Sequence, residues 1–137
     1  MRVVAFVLSF LFVISNPFPA VFAKRVPKEL PVSVSIQSLV EDEAQYNGHR
    51  IVVSGRILSI FLQRGRLGSP YLEIHLTEDR PQNRLKGPTV EVISLGVQKI
   101  WPGDKVLVQG SYRISGKKAG LFFEHFIDAE IIVPDLS

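Results

Sequence analysis

The sequence predicts a mainly β domain in which five strands close into a small barrel after one short helix. Three observations predict it. Between Arg50 and Val133 the apolar residues alternate in five β-branched runs. Two of those runs are long, and each carries a glycine in matching surroundings: Gly55 in Val-Ser-Gly-Arg-Ile and Gly110 in Val-Gln-Gly-Ser-Tyr. The connections between runs are short and rich in turn residues. Closing so small a sheet makes its strands tilt and bend. Glycine lets a strand coil where another backbone passes close, so Gly55 and Gly110 are expected at corners of the barrel.

The first residues stand apart from this pattern. Met1-Arg2 is a positive end, and Val3 to Ile14 is apolar apart from Ser9. Pro17 and Pro19 then break the run, and Val21-Phe22-Ala23 precedes Lys24-Arg25. That order is expected of a secretory signal peptide over residues 1–23, cut after Ala23, and of an exported, periplasmic or secreted protein. The run is too short to cross a bilayer, and extending it to Ala23 takes in Ser15, Asn16 and both prolines. No stable membrane span is therefore expected after cleavage; the alternative is a retained anchor.

Residues 24–34, with Pro27 and Pro31, read as an extended lead-in, residues 35–134 as the barrel domain and residues 135–137 as a tail. Ser38-Leu39-Val40-Glu41 fits a capping box, with Glu41, Asp42 and Glu43 where a helix dipole favours negative charge. Asn47-Gly48 supplies the stop, so the helix is about two turns long.

The first strand, Ile51 to Leu62, is apolar on both faces. Tyr71 to Thr77 alternates cleanly, with Leu72, Ile74 and Leu76 inward and Tyr71, Glu73, His75 and Thr77 outward. In the third, Val90 and Val92 oppose Thr89 and Glu91. In the fourth, Val106, Val108, Gly110 and Ile114 oppose Gln109, Ser111 and Arg113. In the last, Leu121, Phe123, Ile127, Ala129 and Ile131 share one parity. Trp101-Pro102-Gly103-Asp104 has the signature of a type II turn. Leu95 to Ile100 has room for a helical turn at most, and Arg64–Pro70 and Gly116–Gly120 close the first and last hairpins.

Composition excludes more than it assigns. The net charge of +3, one less without Arg2, is too small by itself to define a nucleic-acid binder. There is no cysteine, so neither disulfides nor a thiolate nucleophile exist. No Gly-x-Ser-x-Gly elbow or phosphate-cradling glycine loop appears. Glu73 and His75 share a strand face, but zinc takes three or four ligands, and His49 and His125 lie far away in sequence. His125 sits among inward-facing residues, as a core histidine or a bulge would. No catalytic residue, metal site or cofactor is expected.

The helix ending in Tyr46-Asn47-Gly48, then "HRIVVSGRI", "PGDKVLVQGSY" and "FFEHFIDAEII", together resemble the OB-fold. The resemblance spans about Ser35 to Val133. It is similar to nucleic-acid-binding OB modules of the anticodon-binding type and to small exported bacterial OB proteins. It implies a five-stranded Greek-key barrel that binds on the face of its second and third strands, flanked by the first and last hairpin loops.

On this chain that face carries Tyr71 and His75, with Tyr71 expected as the exposed aromatic and Phe61 in the core. The loops carry Arg64 and Arg66, then Arg84, then Lys117 and Lys118. Aromatic and basic residues together suit single-stranded nucleic acid or another polyanion, although Glu73 and Glu91 would repel phosphate. An envelope protein or a small ligand is the alternative partner.

Overall fold

The computed structural model describes residues 29–78 and 87–137. The expected signal peptide, the start of the lead-in and the loop residues Arg80, Arg84 and Lys86 lie outside them. In chain order the elements are β1 (Val32–Ser33), α1 (Ile36–Glu41), α2 (Glu43–Tyr46), β2 (Arg50–Arg64), β3 (Pro70–Thr77), β4 (Thr89–Leu95), β5 (Lys105–Lys118) and β6 (Leu121–Pro134). β2, β3 and β4 form an antiparallel meander. β6 then pairs parallel to β4, β5 antiparallel to β6, and β5 returns to β2. This closed Greek-key ring of five strands is the OB-fold. The two-residue β1 adds a parallel pairing of Val32 and Ser33 to Ile51 and Val52, a strand contact inside the expected lead-in.

Closure depends on β2 serving two partners. Arg50 to Arg56 pairs with β5, and Arg56 to Arg64 with β3. Gly55 sits at the handover. A β-carbon there would lie 2.7 Å from both Leu76 Cγ and the Thr77 carbonyl oxygen, and 2.9 Å from Ile36 Cδ1. At Gly110 it would lie 2.2 Å from the Asp128 carbonyl oxygen, beside the bulge where Gly110 pairs with Ala129 but Gln109 with Ile131. Both glycines are corners, because a neighbouring chain occupies the space a side chain would need.

The barrel interior is filled by Ile51, Val53, Ile57, Leu72, Ile74, Leu76, Val92, Val108, Tyr112 and Ile127, with Ile36 and Leu39 added from α1. The helix starts one turn earlier than its sequence suggests. Ser35, not Ser38, is the cap: its backbone is extended and its Oγ accepts the Ser38 N–H at 3.0 Å. Burial of Ile36 and Leu39, three residues apart on one face, pulls Ser38 into the helix and leaves Glu41 at its end. The stop is as expected, with Gly48 at φ +84°. Trp101–Asp104 is a type II turn, with Gly103 at φ +95° and the Asp104 N–H donating to the Trp101 carbonyl at 3.1 Å.

β6 departs from simple alternation. Phe126 and Ile127 are both fully buried, Ile127 inside the barrel and Phe126 in a second cluster with Tyr71 and Ile93. The strand changes course at His125, which has φ +51° and is exposed, so it is no core histidine. The bulge at Glu130 turns Ile131 outward, where 51% of it is exposed.

Gly110→Ala should cost about 3 kcal/mol in urea unfolding, because the obstructing atom is backbone and cannot rotate away. Gly55→Ala should cost less, since Leu76 and Ile36 can partly yield. An unchanged midpoint for Gly110→Ala would mean that the strands do not cross there.

Candidate ligand-binding site

The outer face of the β2–β3–β4 meander is set by strand register. His75 lies opposite Glu91 on β4 and Ser59 on β2, and Glu73 lies opposite Ile93 and Phe61. Period-two alternation therefore places Phe61, Glu73, His75 and Glu91 together on one patch of the barrel surface. His75 Nε2 is 3.4 Å from Glu73 Oε2 and 3.9 Å from Glu91 Oε2. Phe61 meets the imidazole edge-on at a centroid distance of 6.0 Å. The Glu73 and Glu91 carboxyls lie side by side, with oxygens within 4.8 Å. Burial, followed by the Glu73 hydrogen bond and charge, raises the Glu91 pKa to about 7. Glu73 is held below the usual carboxylate range, first by the Glu91 hydrogen bond and then by His75.

Tyr71 is not the exposed aromatic of this face. Only 5% of it is accessible, because Phe123 packs edge-on at 5.6 Å and Ile93 and Phe126 enclose it. The far end of the β5–β6 hairpin covers that part of the meander with a small apolar core. Exposed rings among the described residues include Phe61 at 48%, Phe122 at 62% and, in its own turn, Trp101 at 68%. Phe61 escapes the interior because it falls on the outward parity of β2 beyond the bulge at Leu58. Phe122 pairs with Lys117, on the opposite side of the hairpin from Phe123 and Gly116.

The first and last hairpin loops are joined. The Arg66 N–H donates to the Ala119 carbonyl at 2.9 Å, and a β-carbon on Gly120 would strike Arg66 Cβ. Ala119 and Gly120 form a two-residue turn with φ of +54° and +77°, as a type I′ turn requires. Lys117 and Lys118 therefore belong to β5 itself. A cleft of about 390 Å³ between the loops is lined by Arg66, Leu67, Ser69, Ala119 and Gly120. Of the basic residues singled out in the sequence, Arg64 donates to the Gly68 carbonyl at 2.9 Å and shapes the first loop. Arg66 and Lys117 are exposed, and Lys118 is ion-paired with Asp128, which also faces Arg113 at 3.4 Å. Arg84 lies outside the described residues.

A second cleft, about 450 Å³, lies between Ile100, Asp104 and Lys105 on one side and Pro134 to Leu136 on the other. In its wall Asp135 accepts from Ser54 Oγ at 2.6 Å, and the Asp135 backbone N–H donates to the Lys105 carbonyl at 2.9 Å.

The strand order and the paired loops define an OB-fold barrel whose usual binding face is partly roofed. No protein-family model matches the sequence, and no curated protein sequence matches it significantly. The structure is similar to that of a small single-stranded DNA-binding protein from Streptomyces coelicolor, at 23% sequence identity. The match covers 66% of this chain and 95% of that one, with a TM-score of 0.47.

Because the folded Glu91 pKa lies above its ordinary value of 4.5, the folded chain keeps a proton that the unfolded chain has released between about pH 4.5 and 7. Stability contributed by this group is thus full at low pH and lost as pH rises through that window. In chelator-treated protein, Glu91→Gln should gain in Tm relative to the unsubstituted chain between pH 5 and 7.5. A Tm difference that stays constant over that range would contradict the shared proton.

Proposed function

We propose that this protein is a non-enzymatic OB-fold binding module that holds single-stranded nucleic acid along its joined hairpin end. The observation that carries the reading is the locking of the Gly65–Ser69 loop onto Ala119–Gly120, which brings Arg64, Arg66 and Lys117 to one end of the barrel near exposed Phe61 and Phe122. Cationic side chains track phosphates and aromatic faces stack bases without regard to sequence. Lys118 contributes less than its charge suggests, since Asp128 already neutralises it. Glu73, held ionised below the usual carboxylate range, repels phosphate from the centre of the strand face, so the backbone of the ligand follows the rim. Arg84 is a further candidate phosphate contact.

Three phosphate contacts give a salt dependence of log K near −2, from about −0.7 per contact on single strands. Fluorescence anisotropy with a mixed-sequence oligonucleotide should return that slope, and Arg66→Ala or Lys117→Ala should each make it shallower by about 0.7. A flat salt profile would remove the reading. Phe122→Ala should weaken binding by about 1–3 kcal/mol with the salt slope unchanged, if a base stacks on it.

The charge, apolar run and small-residue boundary at Ala23 support export. The mass of the protein recovered from its native host should then correspond to a chain starting at Lys24. A mass that includes residues 1–23 would argue for a retained leader.

A further inference from the structure

We propose that Glu73, His75 and Glu91 form a binding site for a divalent transition-metal ion of the zinc class. The proposal is independent of the nucleic-acid reading. It draws on a mixed donor set of one imidazole nitrogen and two carboxylate oxygens, and on the spacing between them.

At metal–ligand distances of about 2.0–2.2 Å, two ligands of a tetrahedral ion lie roughly 3.4 Å apart. His75 Nε2 and Glu73 Oε2 are separated by 3.4 Å, and His75 Nε2 and Glu91 Oε2 by 3.9 Å. All three donor atoms lie within 4.8 Å of one another. They stand on paired strands rather than on loops, so register holds them: His75 faces Glu91 across the β3–β4 ladder, and Glu73 is two residues along the same face. Each of the three is partly buried. Among the described residues no lysine or arginine lies within ion-pairing distance of either carboxylate, so a cation placed between them would meet no competing basic side chain.

The other two histidines differ in kind. His49 meets Glu29 and His125 meets Glu43, each at 2.9 Å, with one carboxylate beside each imidazole. Among the described residues, His75 alone sits between two carboxylates in a three-donor group. The imidazole favours zinc, cobalt or nickel over magnesium or calcium, which prefer all-oxygen shells. Three protein ligands leave a fourth position open for water or for an oxygen of a ligand.

The test uses the full chain stripped of metal with a chelator and titrated with zinc chloride, with cobalt(II) as the spectroscopic probe. Expected are one equivalent bound per chain, a rise in Tm on zinc addition, and cobalt absorption of tetrahedral type. His75→Ala and Glu91→Gln should each weaken zinc binding more than about tenfold, while His49→Ala and His125→Ala leave it unchanged. Far-UV circular dichroism checks that every variant is folded. Absence of zinc binding to the unsubstituted chain, or binding that survives His75→Ala, would overturn the site. Oligonucleotide binding measured with and without zinc keeps this outcome separate from the fate of the nucleic-acid reading.

Discussion

The Asp128 carbonyl passes so close to Gly110 that a β-carbon would sit 2.2 Å from its oxygen, and the Thr77 carbonyl stands 2.7 Å from the same position at Gly55. These two near-contacts of backbone on backbone are where the ring of strands closes. A five-stranded sheet has little circumference, so its long strands must bend to meet both neighbours. β2 does so at Gly55, leaving β5 for β3, and β5 does so at Gly110 opposite the β6 bulge. A side chain at either point would force the chains apart and open the interior that Ile51, Val53, Leu76 and Val108 fill.

The same bending determines what the surface can offer. Long strands that coil past closure project as a hairpin arm, and the arm of β5 and β6 folds back over the meander. Phe123 and Phe126 then bury Tyr71 and Ile93 in an apolar cluster outside the barrel proper. The roof removes part of the face on which OB-folds usually bind, but it draws the last hairpin turn onto the first loop through the Arg66–Ala119 hydrogen bond. The surface beside the roof is thus a rim carrying exposed Arg66 and Lys117 next to a patch carrying Glu73, His75 and Glu91.

Much of this was legible from residue order alone. Alternation located five strands, Pro102-Gly103 identified its turn, and the two mid-strand glycines pointed to corners, because each of these signals depends on a residue's own backbone preferences or on period two. Glu73, His75 and Glu91 could each be assigned to the outer face in the same way. What alternation cannot supply is register across strands, and only register shows that His75 stands opposite Glu91 rather than a residue two places away.

Sequence by itself determined the five strands of the ring, the inward and outward parities of β3, and the positions where no side chain could be tolerated. Tertiary structure decided the rest. Tyr71 has the same outward parity as His75, yet one is buried and the other partly open, because the arm of a distant hairpin covers only one of them. Lys118 looked like a free loop charge and proved to be a strand residue paired with Asp128. The helix began at Ser35 because burial of Ile36 against the Gly55 corner outweighed the capping preference of Ser38. In each case the deciding atom belonged to a segment far away in the chain, which local preference cannot register and only packing brings near.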